Sequence, residues 1–173
     1  MHMLHLLRHA KSSWKDGVED HQRPLNRRGR EAAQRLGRHL PTIAGGIDLV
    51  LCSSAARTRE TLELALAGFA IRPRCLIEGG LYLADCDKLL DRLKQLEEST
   101  GNVLLIGHNP GLHELALALA EPDTPAARTL ASAKFPTAAR ASLCILTRWL
   151  ALTGSRHPLA DYVTVGSLSD GDC

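Results

Sequence analysis

The sequence predicts an α/β protein organised as a three-layer α/β/α sandwich with a mainly parallel sheet. Two observations carry this prediction. Short apolar runs that are typical of buried strands recur along the chain, and segments with the amphipathic periodicity of helices separate them. The 173 residues are enough to bury a substantial core, and no low-complexity linker or internal repeat divides them. We therefore expect residues 1–173 to form a single domain.

The expected elements follow one another with few interruptions. Strands are expected at residues 3–8, 47–52, 71–77, 103–106, 142–149 and, more weakly, 162–165. Helices are expected at about residues 26–40, 56–67, 85–98 and 110–120. Polar residues over 15–25 predict a loop after the first strand, and residues 121–137 are rich in loop formers.

Each expected helix has a signal at its start. Asn26, the Ser53–Ser54 pair and Asp85 can cap the first three helices with side-chain oxygens. Pro110 begins the fourth, where its missing backbone N–H costs nothing. Alanine and leucine residues recur at helical spacing in each segment, which gives each helix an apolar face for the sheet.

Composition argues against several classes of function. The formal net charge is +2 and no block of lysine and arginine stands out, so nucleic acid is not an expected partner. No basic segment followed by a long apolar stretch suggests a signal peptide or a membrane span. The five cysteines are odd in number and scattered, which indicates reduced thiols and a cytoplasmic location. These cysteines are Cys52, Cys75, Cys86, Cys144 and Cys173.

Two arginines and two histidines lie where predicted strands end. Arg8 and His9 close the first apolar run, Arg57 follows the second and His108 follows the strand at 103–106. In open α/β sheets ligands bind just past the carboxyl ends of the strands. Two guanidinium groups and two imidazoles at that edge predict an anion site that includes a nucleophile.

The local sequence around each of these residues suits a phosphate. Neutral imidazole is a competent phosphoryl acceptor, so His9 is the candidate nucleophile, and Ser12 follows it in a small, polar stretch. Arg57 stands in the first turn of a helix, where a cation opposes the helix dipole unless an anion is bound. Arg59 is better explained as a surface charge. His108 can donate to a transferring phosphoryl group.

Other chemistries fit the sequence poorly. His108 and His113 are five residues apart, a spacing that does not place both on the same face of a helix, so a metal site is not expected. A cysteine phosphatase loop needs five residues between cysteine and arginine, whereas Cys52 and Arg57 have four. No glycine-rich nucleotide loop is present, because Gly45–Gly46 and Gly79–Gly80 look like turns.

An ordered set of short motifs resembles the histidine phosphatase superfamily, also called phosphoglycerate mutase-like, and most closely its SixA-type branch. The motifs are Leu7-Arg8-His9-Ala10-Lys11-Ser12-Ser13-Trp14, Arg23-Pro24-Leu25-Asn26-Arg27-Arg28-Gly29, Ser53 to Thr61, Leu81-Tyr82, Gly107-His108-Asn109-Pro110-Gly111 and Lys134-Phe135-Pro136-Thr137. Each is weakly specific, but together they keep the family's order over nearly the whole chain.

The resemblance implies a two-step phosphatase mechanism. His9 would take the phosphoryl group, Arg8, Arg57 and His108 would bind its oxygens, and water would then attack the intermediate. No metal and no organic cofactor are implied. Many members of the superfamily place a glutamate acid after the third strand, and Glu78 is the candidate here, although it is offset from Leu81-Tyr82.

The doubtful acid and the chain length favour one substrate class. Imidazole leaves a phosphoryl group more readily than an alkoxide does, so a site without a sure acid suits N–P bonds. No insertion is long enough to build a lid subdomain, and we expect an open site that admits a phosphohistidine-bearing protein of phosphotransfer or signalling. Two alternatives stay open: hydrolysis of small phosphate esters or anhydrides, and a phosphoprotein-binding module without turnover.

Overall fold

The computed structural model describes residues 1–14, 17–43, 46–132, 134–154 and 156–168. Within these residues the chain forms one six-stranded sheet and five α-helices. The strands are β1 (His2–Arg8), β2 (Leu49–Ser53), β3 (Arg74–Glu78), β4 (Asn102–Gly107), β5 (Arg140–Ile145) and β6 (Leu159–Val163). The helices are α1 (Arg27–Ile43), α2 (Ala56–Ala65), α3 (Cys86–Lys94), α4 (Gly111–Leu119) and α5 (Pro125–Ser132). Lys15 and Asp16 of the expected loop, Gly45 of the expected turn and Cys173 lie outside the described residues.

The sheet has the strand order β3-β2-β4-β1-β5-β6. The first four strands in this order pair in parallel, and β5 and β6 add to the β1 edge in antiparallel fashion. Parallel strands that are covered on both faces have nearly continuous apolar sequences, because the side chains on both faces are buried. This explains the apolar runs in the sequence. The predicted α/β fold class is confirmed, with a sheet that is parallel over most of its width and mixed overall.

Helices cover both faces of the sheet. Alternate residues of each strand point to opposite faces, so Val50 joins the core beneath α1 and α2, while Leu51 joins the core beneath α3, α4 and α5. Leu36 of α1 and Leu112 of α4 are buried in these two cores. None of the helices within the described residues is long and apolar enough to cross a membrane.

The expectation of a loop over residues 121–137 is wrong for its central part, which forms α5. Thr124 accepts a hydrogen bond from the backbone N–H of Ala127 at 3.1 Å, and Pro125 occupies the first helical position. Ala127 and Leu130 are buried against the sheet, so the short helix is stabilised by packing.

Three strands also have bounds that differ from the prediction. β5 ends at Ile145, because Trp149 lies in a separate 3₁₀ turn where its indole N–H donates to the Thr100 carbonyl at 2.9 Å. β3 begins only at Arg74, since its pairing partner β2 begins at Leu49. β6 is paired over Leu159–Val163, upstream of the expected segment.

The strand order explains where the site forms. β4 lies between β1 and β2, with Arg8 opposite Gly107 and Cys52 opposite Ile106. The residues that follow these three strands therefore meet at one edge of the sheet. The loop after β1 is held against α1, because Gly29 lies so close to the Lys11 carbonyl that a Cβ there would clash.

Candidate active site

A cavity of about 560 Å³ opens at the carboxyl ends of β1, β4 and β2. Five of the six residues singled out from the sequence line it, namely Arg8, His9, Ser12, Arg57 and His108. Arg8, His9 and Ser12 come from the end of β1 and the loop after it, Arg57 from the start of α2 and His108 from the segment after β4, so the strand order brings three parts of the chain together. Glu78 is the sixth, and it does not line the cavity.

His9 is oriented by a hydrogen bond to its own neighbour. Its Nδ1 lies 2.7 Å from the Ala10 carbonyl oxygen, which can only accept, so Nδ1 carries the proton. The free lone pair is then on Nε2, which faces the Arg57 guanidinium at 3.3 Å. Burial, with the neighbouring arginines, lowers the pKa of His9 to about 4. The imidazole is therefore neutral at neutral pH, which is the state a nucleophile needs.

Arg57 is the centre of the site. Its side chain is 2% exposed, and its Nε donates towards His9 while Nη2 lies 3.3 Å from His108 Nδ1. Nη1 donates to the Asp20 carbonyl at 2.7 Å, and Nη2 donates to the Asp20 carboxylate at 3.0 Å. A buried cation that touches two imidazoles is costly unless anions surround it, and Asp20 supplies only one.

His108 has partners on both ring nitrogens. Nδ1 accepts from Arg57, so the proton belongs on Nε2, which lies 2.7 Å from the Ser53 hydroxyl. Burial first, and then His9 and Arg57, lower the pKa of His108 to about 3. The ring of His108 lies 5.2 Å from that of His9 between centroids. An incoming dianion would reverse this bias and favour the protonated form of His108.

Arg8 borders the same cavity from the end of β1. Its Nη1 donates to the Phe135 carbonyl at 2.8 Å, and Asn109 donates to the same oxygen at 2.9 Å. Arg8 Nε is buried without a hydrogen-bond partner among the described residues. Burial and the nearby Arg57 lower the pKa of Arg8. Two neighbouring guanidinium groups that line one cavity describe a place for an anion.

Sequence reasoning missed three residues at this site, Asp20, Arg23 and Tyr82. The Asp20 carboxylate accepts hydrogen bonds from Tyr82, Arg23 and Arg57. The hydrogen bond from Tyr82, with those of the two arginines, lowers the pKa of Asp20 to about 2. Asp20 is therefore ionised at neutral pH and cannot serve as a general acid there. The i,i+3 spacing of Asp20 and Arg23 is a weak sequence signal. Tyr82 belongs to the Leu81-Tyr82 motif, but nothing in the sequence pairs it with Asp20, which is 62 residues away.

Ser12 and Glu78 have other partners. Ser12 lines the cavity, and its hydroxyl accepts from Arg23 Nη1 at 2.9 Å. Both carboxylate oxygens of Glu78 are bound by Arg92, at distances of 2.7 to 3.1 Å. The structure therefore brings Ser12 to the cavity and holds the Glu78 side chain on α3, away from the reacting groups.

No cluster of three or more histidine, cysteine, aspartate or glutamate side chains able to hold a metal ion occurs in the part of the chain that the structure describes. Cys52 is buried beside the site, and burial raises the pKa of its thiol to about 12. Among the described residues, the ionisable groups that line the cavity are two imidazoles, three guanidinium groups, two lysine ammonium groups and one ionised carboxylate.

The chain belongs to the histidine phosphatase superfamily, and it is a phosphatase of the SixA type. The model of the histidine phosphatase superfamily (branch 1) matches residues 4–78, which include Arg8, His9 and Arg57. The fold and the site edge agree with this family, and the predicted membership is confirmed.

Relatives of this chain occur in mycobacteria and other bacteria. The uncharacterized protein Rv1276c of Mycobacterium tuberculosis is 34% identical over 146 residues, covering 83% of this chain and 89% of that protein. The uncharacterized protein ML1117 of Mycobacterium leprae is 36% identical over 149 residues, with the same coverage of 83% and 89%.

Solved structures give the same result. A candidate SixA phosphohistidine phosphatase from Nakamurella multipartitia superposes with a TM-score of 0.81 at 28% identity, covering 94% of this chain and 95% of that one. A protein histidine phosphatase SixA complexed with tungstate has a TM-score of 0.78 at 22% identity, covering 96% and 99%, and it supports the fold.

Proposed function

We propose that this phosphatase hydrolyses phosphohistidine carried by a protein, through a covalent intermediate on His9. The observation that carries the proposal is the state of His9, a neutral imidazole that lines the cavity and whose unprotonated Nε2 accepts a long, 3.3 Å hydrogen bond from Arg57. Among the described cavity-lining groups this nitrogen is the one suited to accept a phosphoryl group.

The reaction takes two steps. His9 Nε2 attacks the phosphorus, the bond from phosphorus to the substrate imidazole breaks, and that nitrogen takes a proton from water. Water then attacks the phosphorus of phospho-His9, the bond to Nε2 breaks, and inorganic phosphate leaves. The proton released by the attacking water neutralises the hydroxide formed in the first step. Arg8, Arg57 and a protonated His108 hold the three oxygens while negative charge moves between them.

No carboxylic acid in the described cavity lining can protonate the leaving group, and His108 is engaged with a phosphoryl oxygen, which supports the choice of an N–P bond. Asp20 is ionised, and Glu78 is bound by Arg92 outside the cavity. An alkoxide leaving group needs a proton in the transition state, whereas imidazole departs without strong acid help. The described site therefore suits phosphohistidine better than it suits phosphate esters.

A substrate panel tests this proposal. Under one set of conditions, kcat/KM is measured for a phosphohistidine protein, a sugar phosphate, a nucleotide and a phosphoserine peptide. We expect the phosphohistidine protein to exceed the esters by orders of magnitude. A better rate for sugar phosphates would support hydrolysis of small esters, and binding without turnover of any substrate would support a binding module.

A further inference from the structure

We propose that the mouth of the active-site cavity is a docking surface for an acidic segment of the substrate protein. The surface, called here the docking rim, consists of Lys11, Trp14, Leu83 and Lys134. All four line the cavity and are exposed to solvent. The inference rests on the proposed function and adds how the substrate protein is recognised.

Two large apolar side chains are exposed at this mouth. Trp14 is 79% exposed and Leu83 is 55% exposed. The Arg23 guanidinium carbon lies 3.5 Å from the centre of the Trp14 ring, so a cation–π contact fixes the ring before any partner arrives. A large rigid side chain loses little entropy on binding, which makes it a good anchor for a protein partner.

Leu83 reaches the mouth through an uncommon backbone conformation. Its φ is 49°, in the left-handed region that leucine rarely adopts. Such a conformation costs about 1 kcal/mol or more and is concentrated at functional sites. Leu83 therefore lines the cavity in a backbone conformation that leucine does not favour, and its side chain is not buried in a way that would offset the cost.

The charges around the cavity exceed what one phosphoryl group needs. Among the residues that the structure describes, the lining includes three arginines, two lysines and one carboxylate, that of Asp20. A phosphoryl dianion balances part of this excess, next to the buried arginines. Lys11 and Lys134 lie outside that inner group, and neither forms a salt bridge with a carboxylate of the described residues. Carboxylates of the substrate protein would neutralise the charge of these two lysines, and we therefore infer that the docked segment is acidic.

The open space extends well past the phosphate position. A second cavity of about 450 Å³ shares Arg8, Asn109 and Lys134 with the first and continues along α4 and α5. A groove with these features suits a polypeptide better than a free phosphorylated metabolite.

Three small substrates test the docking rim. They are free phosphohistidine and two phosphohistidine peptides of equal length, one flanked by glutamate and leucine and the other by lysine and leucine. Leu83→Asn removes the apolar side chain and keeps a residue that tolerates the left-handed region. Lys134→Glu reverses one charge of the rim. Two control variants match these changes. Leu150→Asn alters another exposed leucine, and Arg74→Glu reverses an exposed charge at the start of β3, away from the carboxyl ends of the strands.

We expect the wild type to prefer the acidic peptide over the basic one by about tenfold or more, and less at high salt. Lys134→Glu should cut this preference at least tenfold. Leu83→Asn should lower the ratio of kcat/KM for the acidic peptide to that for free phosphohistidine about fivefold. The control variants should leave both ratios within twofold, and thermal unfolding should show all four variants folded.

The possible failures are distinguishable. If phosphohistidine is hydrolysed in all three substrates but both ratios are unaffected by the two rim variants, the docking rim is wrong and the proposed function stands. If no phosphohistidine substrate is hydrolysed while a sugar phosphate is, the proposed function fails and the docking rim fails with it.

Discussion

Replacing Arg57 tests whether the site works by specific contacts or by general positive charge. Arg57 and Arg59 stand two residues apart at the start of α2, but Arg57 is buried among His9, His108 and Asp20, whereas Arg59 is exposed and does not line the cavity. Arg57→Ala and Arg59→Ala each remove one positive charge from the same helix turn. They form a matched pair in which only the contacts differ.

The size of the effect follows from the contacts that are lost. Arg57 faces both histidines at 3.3 Å, and in the proposed reaction it also holds a phosphoryl oxygen. Charge-assisted contacts contribute roughly 1.5 kcal/mol or more each. Losing two such charge-assisted contacts should raise the activation free energy by roughly 3 kcal/mol, which lowers kcat/KM about a hundredfold. Arg59→Ala should change kcat/KM by less than about twofold.

The assay is kcat/KM on a phosphohistidine protein, together with the dissociation constant of inorganic phosphate. Arg57→Lys separates charge from geometry, because lysine keeps the charge but cannot reach both histidines with one planar fork. We expect Arg57→Lys to fall between the wild type and Arg57→Ala. Equal losses in Arg57→Ala and Arg59→Ala, with both proteins folded, would refute the reasoning and leave only general electrostatics.

Three further predictions concern stability, the acid and the cofactor. The pKa values of the buried His5, His9 and His108 are lowered from 6.5 to about 4, 4 and 3, so the unfolded chain binds more protons as pH falls below about 6.5. The free energy of unfolding measured in urea should therefore fall from pH 7 to pH 5, and each histidine can lower it by roughly 3 kcal/mol by pH 4. A free energy of unfolding that does not change with pH would contradict the neutral state of these histidines. Glu78→Gln should leave phosphohistidine turnover nearly unchanged, whereas a large loss would make Glu78 the acid. Activity should survive EDTA and thiol alkylation, with Cys52 protected by burial, and a loss restored by zinc or magnesium would reveal a metal.

The edge of the sheet that holds the site was predictable from the sequence. Arg8, His9 and His108 each follow a continuous apolar run, and a run of this kind is buried on both faces in a parallel sheet. Because ligands bind at the carboxyl ends of such strands, the position of these residues in the chain was sufficient to place them together. Arg57 was predictable for a different reason, since a cation in a first helical turn needs an anion nearby.

The contacts made by side chains from distant loops were not predictable. Asp20 meets Tyr82 only because the loop after β1 folds over the segment after β3. Glu78 is the last residue of β3, close to where the family's acid is expected. Its side chain nevertheless pairs with Arg92 of α3, and the position of a residue in a strand does not predict such a partner. The helix α5 was missed because eight residues carry too little periodicity, although Thr124 and a following proline are a capping signal.

The central claim is that His9 carries the phosphoryl group, and trapping the intermediate tests it most directly. The enzyme is mixed with a ³²P-labelled phosphohistidine protein, quenched within milliseconds and analysed by chemical stability and peptide mapping. We predict label on His9 that is stable in alkali and lost in acid, and no label in a folded His9→Ala variant. Label on Cys52 or on a carboxylate, or full turnover by His9→Ala, would contradict the account.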